Sequence, residues 1–116
     1  MMRTVFKQSV EKDNDEIILK TIQGVMLEIF GEKSLRKIRH VMKENYSLEW
    51  HDIPEKSEAF SSALKEILGR GAVIIEDLIV ENLYNNFGKE LLWRKDFSFT
   101  DYISNLSIGN KLIFCT

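Results

Sequence analysis

The side chains able to carry chemistry are few and scattered. The histidines are His40 and His51, and the cysteine is Cys115. A structural zinc site takes four Cys or His ligands at close spacings, and a zinc protease helix takes HExxH. Neither pattern is present, nor an ExxH pair, so no metal site and no cofactor are expected. Nucleophilic catalysis needs a Ser or Cys beside a base that a third group holds. There is no GxSxG elbow, and Cys115 stands next to the terminal residue, a poor place to hold a reacting geometry. Gly69-Arg70-Gly71 could offer backbone N–H groups and a guanidinium to an anion at a helix start. It lacks the lysine of a P-loop and the third glycine of a dinucleotide site, so the expectation is a tight turn. Glu76, Asp77 and Glu81 are neighbouring acids, with Glu76 set towards apolar Leu83 and Phe87. A carboxylate so placed can serve acid–base chemistry; reaching an arginine or a wet edge is the plainer expectation. No constellation supports an enzyme.

One charged pattern stands out. Lys33, Arg36, Lys37, Arg39, His40 and Lys43 fall within a single predicted helix. All but Arg39 lie clearly opposite Leu35, Ile38 and Met42, so the outer face is a basic strip. Such a strip could meet phosphates with salt-dependent affinity, and Lys33, Arg36, Lys37, His40 and Lys43 are the candidate nucleic-acid face. The comparison with a DNA-reading helix-turn-helix fits poorly. Glu32 follows the turn glycine where an apolar residue normally packs, and Lys37 falls where the helix should be buried. Glu28, Glu32 and Glu44 partly neutralise the strip.

The elements that must position these groups follow from composition and period. The 116 residues are 44% hydrophobic and 29% charged, with net charge -2, one proline and six glycines. That is one globular domain, not a disordered, collagen-like or strongly basic chain. No apolar run spans a membrane, and no secretory leader opens the chain. The lone cysteine suits a reducing cytosol. Residues 1–14 are weakly patterned and expected as a flexible arm, with a short strand at Thr4–Val10 as the alternative. Asp13, Asn14 or Asp15 is expected to cap a first helix carrying Ile17, Ile18, Ile22, Val25, Met26, Ile29 and Phe30. Gly24 within it could let a neighbouring helix come close, and Gly31 closes it. A second helix, from Ser34 to about Tyr46, buries Leu35, Ile38, Val41, Met42 and Tyr46 and should fold back as an αα-hairpin. A loop through Pro54 follows, pinned by Leu48, Trp50 and Ile53.

Ser57 is expected to cap the third helix, which buries Phe60, Ala63, Leu64, Ile67 and Leu68 and turns Ser61, Ser62, Lys65 and Glu66 to water. The fourth helix, Ala72 to Phe87, is apolar almost all round, with Asp77, Glu81 and Asn85 as its polar strip. A helix of that kind is central in a fold or covered by a second subunit. Leu78, Val80, Tyr84 and Phe87 with Trp93 are the candidate partner interface, and a homodimer through this helix or the apolar tail 107–116 is expected. Leu91-Leu92-Trp93 suits a strand or a helical continuation. Ser98-Phe99-Thr100-Asp101 resembles a capping box ahead of a short fifth helix with Tyr102, Ile103 and Leu106. The fold class is therefore all-α: a compact bundle of four main helices plus a short fifth C-terminal helix.

The order of these features is itself informative. Leu35 to Tyr46, Asp52-Ile53-Pro54-Glu55, Ala63-Leu64-Lys65-Glu66-Ile67-Leu68-Gly69, then an apolar helix reaching Leu83-Tyr84 and Gly88, resembles the archaeal fifth Nitrosopumilus output domain family. The resemblance covers roughly Asp15 to Leu106 and rests on helices and glycines, not reactive residues. It implies a small helical domain found alone or joined to signalling modules, with no catalytic residues to carry over. The expected function is a cytoplasmic regulatory or protein-interaction module. The alternatives are a nucleic-acid-binding regulator using the basic strip and a small-molecule sensor with a pocket between helices.

Overall fold

The computed structural model describes the backbone of residues 2–106 and the side chains of residues 14–106. The chain runs as α1 (Met2–Tyr46), a 3-10 turn (Trp50–Asp52), α2 (Ser57–Leu68), α3 (Gly71–Asn86) and a short α4 (99–106). The described residues contain no strand. Helix α1 is broken at Gly31, whose φ of 83° and ψ of 166° lie outside any helix. Residues 14–46 alone, run straight, would reach about 50 Å, yet the longest dimension of the molecule is 42 Å. The two arms therefore bend sharply at Gly31, and Ile18, Ile22, Val25 and Met26 of the first share one core with Leu35, Ile38 and Met42 of the second. Counting the arms separately gives four main helical segments and a short fifth.

Helix α1 starts at Met2, so residues 2–13 are helical and not a strand, and Asp13, Asn14 and Asp15 lie inside the helix instead of capping it. At Gly24 the expected close approach of a neighbour is absent: a Cβ there would meet nothing within 4 Å.

The most extensive contact is between α1 and α3, with α2 packed on both. The inward face of α3 is Ala72, Ile75, Glu76, Ile79, Val80, Leu83 and Tyr84, a regular helical stripe. Its polar strip of Asp77, Glu81 and Asn85 is exposed, as the spacing predicts, and so are Val73 and Ile74. The helix ends in a Schellman closure: Gly88 at φ 67° donates to the Asn85 carbonyl at 3.1 Å, and Lys89 N–H donates to the Tyr84 carbonyl at 2.9 Å. Leu48 and Ile53 are buried and Trp50 packs edge-on against Phe60 at 6.3 Å between ring centroids, so the Pro54 loop is pinned as expected.

Two serines depart from expectation. Ser57 is the first residue of α2, not its cap; Lys56 holds the cap position, and the Ser57 hydroxyl donates to Thr100 Oγ1 at 3.2 Å, tying α2 to the start of α4. Ser61 is buried, and its hydroxyl donates to the Glu76 carboxylate, which is only 8% exposed. Glu76 thus finds no arginine; one of its carboxylate oxygens accepts from a hydroxyl on the facing helix.

The last segment is fastened by reciprocal bonds. Residues 89–94 are irregular, neither strand nor helix. Ser98 N–H donates to Asp101 Oδ2 at 2.9 Å and Asp101 N–H donates to Ser98 Oγ at 3.2 Å, a capping box with Asp in the usual Glu position. Phe97 lies 5.1 Å from Tyr102 between ring centroids, the hydrophobic staple that belongs to that motif. The Tyr102 hydroxyl accepts from Arg94 N–H at 2.8 Å and donates to the Arg94 carbonyl at 3.1 Å. Tyr84 donates to the Tyr102 carbonyl at 2.9 Å. Burial holds the Tyr84 phenol above its usual range, against a smaller lowering by a hydrogen bond to Asn105. Lys89 Nζ donates to the Leu106 carbonyl at 2.9 Å, and burial lowers its ammonium below the usual lysine range.

Candidate docking face

The second arm of α1 buries Leu35, Ile38 and Met42 and turns Lys33, Arg36, Lys37, His40 and Lys43 to solvent. The 3.6-residue period fixes this division. Lys37 is exposed, so the position that argued against a helix-turn-helix is not a buried one. These side chains and Val41 border a shallow, open surface along the outer side of the helix. Four of the five candidate basic residues, Lys33, Arg36, Lys37 and His40, stand side by side on it. Lys43 stands apart and reaches Glu49 at 3.9 Å.

The charges are not uniformly positive. Arg36 pairs with Glu32 at 3.2 Å, one helical turn before it. Among the described residues, Lys33 and Lys37 make no ion pair of this kind and carry the free positive charge of this face. Arg39, set apart by its angle on the helix, lies over the Trp50 ring at 4.8 Å, where cation and π-face attract. Val41, expected in the buried stripe, is half-buried at the edge of the basic face. Glu49 lay in the predicted loop and gave no periodic signal, so its pairing with Lys43 went unseen.

The candidate partner interface divides. Val80 and Tyr84 are 2% and 4% exposed, buried in the chain's own core against α1 and α4, and so are corrected from interface to core. Leu78 and Phe87 are half-buried against the same core. Trp93 is 50% exposed and its neighbour Leu92 61%. The Trp93 ring rests edge-on against Tyr102 at 5.4 Å, so one side is fixed and the other is open. The apolar tail 107–116, with Cys115, lies outside the described residues.

A small cleft of roughly 260 Å³ runs along the first arm of α1, between Leu19, Gly24, Leu27 and Trp50. Among the described residues the buried Trp50 Nε1–H has no acceptor. Gly69-Arg70-Gly71 is a tight turn, with Ala72 N–H donating to the Gly69 carbonyl at 3.1 Å. Among the described residues no three His, Cys, Asp or Glu side chains are grouped to hold a metal ion, and no helix is long and apolar enough to cross a membrane. No protein-family model matches the chain, and neither a curated protein nor a solved structure gives a significant match.

Proposed function

We propose that this chain is a cytoplasmic helical interaction module, without catalysis of its own, that engages a partner through the basic face of the second α1 arm. The observation that carries the reading is the run of exposed Lys33, Arg36, Lys37 and His40 on one face of the helix, in which Lys33 and Lys37 make no ion pair among the described residues. A signalling role is what the resemblance to the archaeal output-domain family would imply. The test is retention at low salt on immobilised acidic peptide and on DNA, compared with a Lys33→Glu/Lys37→Glu variant. Both side chains are exposed, so the variant should keep its helical circular dichroism. Salt-sensitive retention lost in the variant supports the reading; no retention of the parent on either matrix overturns it.

A second reading, a homodimer, is favoured by the exposed Leu92–Trp93 pair. Light-scattering mass across a hundredfold concentration range would decide it. A mass near twice 13.6 kDa that falls to 13.6 kDa in Trp93→Ala supports it; 13.6 kDa for the parent throughout excludes it.

A further inference from the structure

We propose that the apolar tail of this chain, residues 107–116, folds back as a strap over the exposed Leu92–Trp93 pair of the same molecule. The inference goes beyond the basic face and does not depend on it. The point from which the tail leaves is fixed. Leu106 is 1% exposed. Its carbonyl accepts from Lys89 Nζ at 2.9 Å, and the Lys89 N–H is itself held by the Tyr84 carbonyl at 2.9 Å. The tail therefore departs beside the start of the irregular segment 89–94. That segment runs along α4 from Leu106 back to Tyr102, one turn earlier on the same helical face, where the Trp93 ring rests edge-on. Leu91 packs on the core, while Leu92 and the outer side of Trp93 lie open next to the tail's origin.

The tail has the length and the pattern to cover them. Lys89 to Trp93 is four residues, at most about 14 Å of chain, and Leu106 to Phe114 is eight, up to about 28 Å. The excess leaves room for a reversal, and Gly109-Asn110 is a pair that favours tight two-residue turns. A reversal there returns Leu112, Ile113 and Phe114 to the level of Leu106 and Tyr102. The other exposed apolar pair, Val73 and Ile74, stands at the far end of α3, about 18 Å along the axis from Asn86. Tethering also decides between this tail and that of a second copy. A segment anchored beside its site is present there at an effective concentration on the order of millimolar, which a second molecule would have to match from solution. The strap and a homodimer through Trp93 compete for one surface.

The experiment uses the full chain with a bimane fluorophore on Cys115, the one cysteine of the sequence; tryptophan quenches bimane on contact. The labelled parent should be severalfold dimmer than labelled Trp93→Phe, and labelled Trp50→Phe should be as dim as the parent. Leu112→Ser/Phe114→Ser should recover the brightness of Trp93→Phe, with the helical circular dichroism of all four proteins alike. Equal brightness of the parent and Trp93→Phe, or quenching lost in Trp50→Phe instead, overturns the strap. Labelled Trp93→Phe mixed with excess unlabelled parent tests the second copy. Unchanged brightness supports the strap; quenching in the mixture seats the tail on another molecule and overturns the assignment to the same chain.

Discussion

Gly24 and Gly31 lie seven residues apart in α1, and the same substitution should act on them with opposite sign. At Gly24 the backbone is helical, the position is exposed and a Cβ would touch nothing within 4 Å. Alanine there removes the excess flexibility of glycine in the unfolded chain and should stabilise by about 0.5–1 kcal/mol. At Gly31 there is equal room for a Cβ, but φ is 83° and ψ 166°, a region almost closed to side chains. Alanine there should cost about 1–3 kcal/mol. The two variants should therefore differ by about 1.5–4 kcal/mol, several degrees in Tm for a domain of this size. Urea unfolding followed by far-UV circular dichroism measures both, with the slope of the transition checking that the unfolded state is comparable. If Gly31→Ala matches or exceeds the parent in stability, the helix does not break at this residue in the left-handed conformation described. If Gly24→Ala destabilises, a neighbour packs where none is seen.

Three further outcomes follow from particular bonds. Asp101→Ala should lower stability by about 1 kcal/mol, because it removes the acceptor for Ser98 N–H, and Asp101→Glu should recover most of it; thermal unfolding of the three proteins is the measure. Ser61→Ala should cost about 1–3 kcal/mol by leaving the buried Glu76 carboxylate without its donor, and the loss should shrink in the Ser61→Ala/Glu76→Gln double variant; a denaturant double-mutant cycle reads it. At alkaline pH the unfolded Tyr84 ionises near 10 while burial keeps the folded phenol protonated above that value. The folded state then holds the extra proton, so this contribution is complete below pH 10 and is lost as pH rises through 10 towards the raised value. Absorbance titration near 295 nm should show a late phase that coincides with unfolding and disappears in Tyr84→Phe.

What was legible in the sequence was whatever one helix face or one turn decides alone. The break at Gly31, the end at Gly88, the Ser98–Asp101 box and the inward stripes of Leu35, Ile38 and Met42 or Phe60, Ala63 and Leu64 are local matters of φ, cap and period. The helix at 2–13 carried a short signal that was missed: Met2, Val5, Phe6 and Val10 stand at i, i+3, i+4 and i+8, a helical spacing spread over only four apolar residues. Burial of Val80 and Tyr84 escaped for a different reason. α3 is apolar on more than one side, and only the positions of α1 and α4 choose which side turns inward. Ser61 with Glu76 and Arg39 with Trp50 are contacts between elements, invisible to any single-helix period. Of the docking face, the exposed lysines were legible from the helical period, and the pairing of Lys43 with Glu49 was not, since it joins the helix to a loop.

The break at Gly31 also bears on how fast the chain finds its fold. A loop between two helices costs entropy to close before any contact rewards it. Here a single residue separates the two arms, so little irregular chain has to be ordered between them. Low sequence separation of contacts goes with rapid folding. The α1 pair is thus placed to assemble first, in the microsecond range of small helical elements. α3 and α4 would then close over it through ties such as Asn86 to Thr21, which join residues 65 positions apart.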